Sequence, residues 1–234
     1  MDKNMILTVP GERQISRRNE VCFVDCEGTR CVRKRYLQPG AAQIERETLA
    51  VLAEAHADVP RVLYSDGEYM VQEYIPGMTY EAVISGCESG AVRSEELADA
   101  VAALADWLIY WYAVTGRKRG DVNLRNFIWT GMRCVGVDFE EETGGPPFEE
   151  DMGRMLAYAA SYDPVCTEGK HRFCSMLLKK FEETGASPEL IREYALAETD
   201  VMNARRKSFA GHAEKVRVFL KSLFSGETPR AEEQ

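Results

Sequence analysis

Residues 118–126 read KRGDVNLRN and residues 135–140 read VGVDFE. Asp121 precedes Asn126 by five positions, and Asp138 follows Asp121 by 17. Between them, FIW at 127–129 and CVGV at 134–137 read as two short strands turned at Gly131, which return Asp138 toward Asn126. Two carboxylates and an amide oxygen at one loop mouth are hard oxygen donors. They suit Mg2+, which takes few protein ligands and fills its shell with phosphate oxygens and water. Asp138 ends an apolar strand, where an acid is more often functional than structural. The plain alternative is a group of solvated Asp and Asn residues closing turns.

Upstream of this stretch the chain reads as strand, strand, helix, strand, strand. VCFVD (21–25) and RCVRKRY (30–36) flank a turn at Cys26, Glu27 and Gly28. After Pro39-Gly40, residues 41–56 predict a helix. RVLYS (61–65) and EYMVQEYI (68–75) flank an Asp66-Gly67 turn and predict a second hairpin. Pro76-Gly77 then separates a β-rich lobe, 1–76, from a helical lobe, 77–234. In the second lobe Ser94 predicts an N-cap for a helix running to about Val114, with Glu95 and Glu96 at its positive end. Further helices are expected at about 149–161, 169–184 and 188–224 with a break, and Pro188 suits a first helical position. The tail after Gly226 is polar and expected to fray. The fold class is α+β, with a ligand cleft expected between lobes.

Composition narrows the function. The 234 residues carry 29 Lys and Arg against 38 Asp and Glu, a net charge of −9, with 45% apolar and 29% charged residues. That is the balance of a globular chain, and it disfavours a general nucleic-acid binder, which needs cationic surface against phosphates. The apolar stretch 100–114 carries Asp106 and is shorter than the roughly 20 residues a bilayer requires, so no membrane segment is expected. Seven cysteines, at 22, 26, 31, 87, 134, 166 and 174, form no CxxC pair. Their odd number and scatter predict reduced thiols in a cytoplasmic chain rather than disulfides, and the trio Cys22, Cys26, Cys31 lacks the spacing of a zinc site.

GDVNLRN followed by VGVDFE resembles the catalytic and metal-binding loops of the protein-kinase-like superfamily. It is most similar to the aminoglycoside phosphotransferase group of small-molecule kinases, with RIO-type atypical protein kinases and their relatives next. The resemblance spans about residues 14–160 and implies a bilobal protein-kinase-like fold, ATP and Mg2+ as cofactors, and phosphoryl transfer to a hydroxyl. It assigns Asp121 as catalytic base, and Asn126 and Asp138 as Mg2+ ligands. It also implies a strand lysine on the α/β-phosphates and a helix glutamate paired with it. Lys34 alternates with Val32 and Tyr36 on one strand face. Glu47 lies on a stripe with Ile44, Val51 and Ala55, while Glu45 points elsewhere, so Glu47 is the expected partner of Lys34. The segment VQEYIPG resembles the hinge that reads adenine through backbone groups, here those of Glu73 and Ile75.

Three features depart from the family pattern. No GxGxxG covers the phosphates. The corresponding turn, residues 16–19, offers Arg17 and Arg18 as phosphate contacts instead. Arg119 stands where a packing histidine is usual, and the stretch after Asp138 is short, with no Ala-Pro-Glu. The last point disfavours a protein kinase regulated by an activation loop. Asp151 is expected to brace the catalytic loop through backbone hydrogen bonds. Glu140, Glu141, Glu142, Glu149 and Glu150 read either as a solvated face or as a rim attracting a cationic acceptor. Trp107, Tyr110, Trp111 and Tyr112 read as helix core. Arg205, Arg206 and Lys207 face either a partner or solvent. Two alternatives stay open: an atypical kinase or ATPase working with a partner protein, and a nucleotide-binding module without turnover.

Overall fold

The computed structural model describes residues 13–14, 19–141, 143–205 and 210–225. The turn expected at 16–18, Glu142, the basic residues Arg206 and Lys207, and the polar tail lie outside them. The protein is mixed α+β, with a small antiparallel sheet toward the N-terminus and a mostly helical remainder. Two compact units divide the chain: Met1–Pro76 with Val135–Glu142, and Gly77–Cys134 with Thr143–Gln234. The segment Val135–Glu142, which the sequence reading left with the helical part, thus groups with the first unit. Gly136 N–H donates to Asp58 C=O there at 3.2 Å.

The first unit holds β1 (Arg13–Gln14), β2 (Asn19–Cys26), β3 (Thr29–Tyr36), β4 (Val62–Ser65) and β5 (Tyr69–Glu73) in one antiparallel sheet, order β1-β2-β3-β5-β4. Cys26 pairs with Thr29, so the first hairpin turns on two residues, Glu27 and Gly28, at φ 55° and 80°. That twin left-handed geometry matches the twist of the strands it joins. The register sets Val21 and Met70 on either side of Lys34, and Phe23 and Gln72 on either side of Val32. The opposite face buries Val24, Cys26, Cys31 and Val71 as a core.

Helix α1 (Ala41–Glu54) buries Ala41, Ala42, Glu45, Leu49 and Leu52. This corrects the expected phase. Val51 is 50% exposed, while Leu49 and Leu52 are fully covered. Leu49 and Leu52 stand four and seven positions after Glu45 and, with Ala41 and Ala42, form a stripe that removes more apolar surface from water than one through Ile44 and Val51. The helix ends before its expected limit, where His56 takes φ 58°.

The second unit begins with β6 (Met78–Thr79) and a helix the sequence reading missed, α2 (Tyr80–Glu88), N-capped by Thr79, which accepts from Ala82 N–H at 3.3 Å. It buries Tyr80, Val83 and Ile84. Helix α3 (Ser94–Thr115) starts one residue before its expected first turn: Arg93 is the cap, and its N–H is taken by the Glu96 carboxylate at 2.9 Å. With 22 residues it is, by length and composition, long and apolar enough to cross a membrane, which corrects the shorter stretch read from the sequence. Leu97, Ala100, Val101, Leu104 and Leu108 are nevertheless buried within the unit, as in a core helix. Trp107, Trp111 and Tyr112 are core as expected, but Tyr110 is 43% exposed. After β7 (Phe127–Trp129), which pairs with β6, strand β8 (Cys134–Gly136) carries the chain back to the first unit. Helices α4 (Glu149–Ser161), α5 (Glu168–Glu183), α6 (Pro188–Arg205) and α7 (Ala210–Ser225) complete the second. A Cβ at Gly153 would lie 2.4 Å from Ile191 C=O, so α4 and α6 approach at a point only glycine permits.

Candidate functional site

Charge is most concentrated in the first unit at Lys34. Strand β3 turns this side chain to the same face as Val32 and Tyr36, and its Nζ donates to Glu45 Oε1 and Oε2 at 2.9 and 3.0 Å and to Asp138 Oδ1 at 2.8 Å. Glu45 has no exposed surface and Lys34 only 6%. A buried carboxylate is tolerated only when its oxygens are fully engaged. Glu45 is engaged four times, since Tyr36 O–H donates at 2.6 Å and Gln72 Nε2 at 3.0 Å besides the two ammonium contacts. Burial alone pulls the Lys34 ammonium toward neutrality, but Glu45 and Asp138 outweigh it and hold its pKa above the ordinary lysine range. Burial, reinforced by Glu45, raises the Tyr36 phenol far above its usual value.

The partner of Lys34 is therefore Glu45 and not Glu47. Glu47 is exposed and accepts from Gln43 Nε2 at 2.7 Å along its own helix. The misassignment is one of helix phase, with the physical cause given above.

Asp138 takes φ 67°, a left-handed conformation uncommon for a residue with a Cβ. Such strain persists only where surrounding contacts fix it, and it concentrates at functional sites. Two residues on, Glu140 accepts from Asn19 Nδ2, and burial together with the nearby Asp138 charge raises its pKa. Carboxylate oxygens of Glu45, Asp138 and Glu140 all lie within 4.8 Å of one another. These are hard donors of the kind a small divalent cation takes, and two of them, Glu45 and Asp138, hold the Lys34 ammonium here. Glu73 and Ile75, the expected hinge residues, lie at the end of β5 and just beyond it. Glu73 N–H is bonded to Arg61 C=O at 2.9 Å and its carboxylate accepts from Arg61 Nε at 3.0 Å, while Ile75 is half-buried two residues later. Burial and the neighbouring Cys26 push the Cys31 thiol up to about 12, the opposite of what a metal-binding thiolate needs.

The second unit holds the loop of Asp121 and Asn126. Its base is Asp151, buried at the start of α4, which accepts from the backbone N–H of Arg119 and, at 3.1 Å, of Gly120. Tyr112 O–H donates to the same carboxylate at 3.3 Å. Asp151 thus braces the loop as expected. Arg119 is 1% exposed, with its guanidinium 5.5 Å from the Trp111 ring centroid. It is held there by packing and cation–π attraction. Beyond it, Asp121 Oδ1 accepts from Asn123 N–H at 3.2 Å, and Asn126 Nδ2 donates to Asp121 C=O at 3.4 Å. Tyr162 O–H donates to Asn123 Oδ1 at 2.7 Å and accepts from Leu124 N–H at 3.1 Å. Asp121 and Asn126 remain half-buried, with the Asn126 amide oxygen outside this set of bonds. Of the acids expected to form a rim, Glu150 is bound to Lys118 and Glu149 accepts from Ser187 N–H at 3.3 Å.

The structure brings Lys34 together with Asp138 in one unit, and Asp121 with Asn126 in the other. Sequence reasoning missed Glu45, Tyr36 and Gln72. The leucine pair at 49 and 52, four and seven positions after Glu45, is the signal from which the first of these could have been found. Neither profiles of known protein families nor curated protein sequences give a match to this chain.

Proposed function

We propose that the protein is an ATP- and Mg2+-dependent phosphotransferase acting on a hydroxyl group of a small molecule, built on a bilobal protein-kinase-like fold. The observation that carries this reading is the Lys34 ammonium held by buried Glu45 and by strained Asp138. A strand lysine, a helix glutamate 11 residues on and an aspartate 104 residues from the lysine converge on one point. The resemblance implies a lysine–glutamate pair and an aspartate of this kind, and a surface ion pair needs no such burial or strain.

Bound Mg-ATP supplies the γ-phosphoryl group and the metal charge that offsets its negative charge. The chain's own residues bind and orient. Lys34 neutralises phosphate oxygens, and Glu45 fixes the direction of its ammonium. Asp138 and Asn126 offer the hard oxygens that fit Mg2+, with the hinge backbone at Glu73 and Ile75 left to the base. Asp121 holds the acceptor hydroxyl and accepts its proton. Since phosphoryl transfer needs little covalent help, such positioning and charge neutralisation account for most of the rate. Glu140 and Glu141, next to Asp138 in sequence, favour an acceptor with cationic character. A cytoplasmic location suits both the free thiols and the supply of nucleotide.

ADP release tests this directly. The protein with Mg-ATP is offered amino alcohols, amino sugars and neutral sugars, or casein, or no acceptor. Release that depends on a small hydroxyl compound is expected. Release with casein alone points to the protein-directed alternative, and equal release with water alone to an ATPase.

A further inference from the structure

The phosphotransferase reading assigns work to Lys34 and Glu45 but leaves unexplained why Glu45 has two further donors. One ammonium stands among three carboxylates: Glu45 and Asp138 touch it, and Glu140 lies within 4.8 Å of both acids. Lys34 is therefore shared, and any anion entering beside Asp138 competes for it. A carboxylate with no exposed surface that lost half its cation would be strongly destabilised unless neutral donors stayed in place. Tyr36 and Gln72 are such donors. Tyr36 is on β3 two residues beyond Lys34, and its own backbone N–H is fixed to Glu68 C=O at 3.1 Å. Gln72 is on β5, the neighbouring strand, and is 3% exposed. Each places one donor on a different oxygen of Glu45: Tyr36 O–H on Oε2 at 2.6 Å, Gln72 Nε2 on Oε1 at 3.0 Å. Both oxygens are thus held from the sheet, independently of the ammonium.

We infer that Tyr36 and Gln72 are positioning residues, which lock Glu45 to the sheet so that Lys34 can turn its charge to an incoming polyphosphate without Glu45 losing its place. This rests on the phosphotransferase reading for the identity of the anion, but not for the geometry. Burial keeps the Tyr36 phenol protonated at every working pH, so its hydrogen is always available to Glu45. The bond from Tyr36 is the shorter of the two and comes from the more constrained side chain, so its loss carries the larger effect.

The experiment uses the full chain with Tyr36→Phe and Gln72→Met, each close in volume to the original. Lys34 acylation by an amine-reactive ester is followed by mass spectrometry without nucleotide. Steady-state kinetics then give KM for Mg-ATP and kcat separately. Releasing Glu45 frees the ammonium, so acylation of Lys34 rises about threefold or more in Tyr36→Phe and less in Gln72→Met. KM for Mg-ATP rises about three- to tenfold, with kcat less affected. A role confined to stability would lower the melting temperature and leave Lys34 reactivity and KM as in the wild type, and that result in either folded variant overturns the inference. If Tyr36→Phe does not fold, Gln72→Met decides on the same two readouts. If the wild type shows no ATP binding, the phosphotransferase reading fails, whereas unchanged labelling in the variants sinks the positioning role alone.

Discussion

Two acidic centres in this molecule are built by opposite means. Around Glu45, side chain holds side chain: a buried carboxylate is surrounded by an ammonium, a phenol and an amide, all within 3.0 Å. Around Asp121, side chain holds backbone: the Asp151 carboxylate accepts from the N–H groups of Arg119 and Gly120, and the Asp121 carboxylate on the same loop stays half-buried. The first arrangement fixes a charge and its direction. The second fixes a loop and leaves its acid accessible for chemistry. On the proposed function the first centre serves binding and the second turnover, and mutation is expected to separate the two.

The largest effect is expected from Glu45→Ala. It strips Lys34 of its buried partner and leaves the Tyr36 and Gln72 donors with only the weak acceptor of the Met70 sulfur, and should lower unfolding free energy in urea by about 3–5 kcal/mol. Glu47→Ala, two residues away, should stay within about 0.5 kcal/mol. Equal losses would erase the distinction between buried and exposed acids on α1. Next comes Asp121→Asn, which keeps the shape and removes the proton acceptor. Turnover should fall by roughly 10²-fold or more, with nucleotide affinity within about threefold and the melting temperature unchanged. A matching loss of affinity would place Asp121 with the binding centre instead.

Asp151→Ala should cost about 2 kcal/mol of stability by leaving two buried N–H groups unpaired. Kinetically it should resemble Asp121→Asn in lowering kcat more than affinity, because it releases the loop. A variant affected in stability alone would show that the brace supports the fold without positioning Asp121.

The smallest effect lies away from both centres. His171 Nε2 is buried with no hydrogen-bond partner among the described residues, and the ring packs edge-on to Phe219. Burial lowers its pKa, so the unfolded chain takes up the proton first. The stability this represents is present above the ordinary histidine pKa of about 6.5 and is lost as the pH falls below it. Between pH 7 and 5 the wild-type melting temperature should fall by a degree or two more than that of His171→Gln. Parallel curves for the two proteins would refute the assignment.

The sequence made the loops more legible than the helix faces. KRGDVNLRN and VGVDFE carry hard oxygen donors at a spacing that resembles a known catalytic pattern, and Asp151 was readable as a brace because that resemblance implies an acid bonded to the loop backbone there. The two hairpins of the first sheet followed from Gly28, Asp66-Gly67 and alternation, whereas the pairing of β3 with β5 that joins them did not. Glu45 was hidden because α1 offers two apolar stripes of similar strength, and only the sheet it packs on decides between them. Helix α2 was hidden by β-branched residues and a glycine, which tertiary burial of Tyr80, Val83 and Ile84 overrides. The grouping of Val135–Glu142 with the first unit depends on contacts no local pattern encodes.

The most direct test of the central claim is calorimetric titration of the wild type and Asp138→Asn with ATP, with and without Mg2+. Binding heat that requires Mg2+ in the wild type, with affinity reduced about tenfold or more in Asp138→Asn, is the expected result, since one charged metal ligand is lost. No heat and no thermal shift with the wild type at millimolar Mg-ATP would contradict the account.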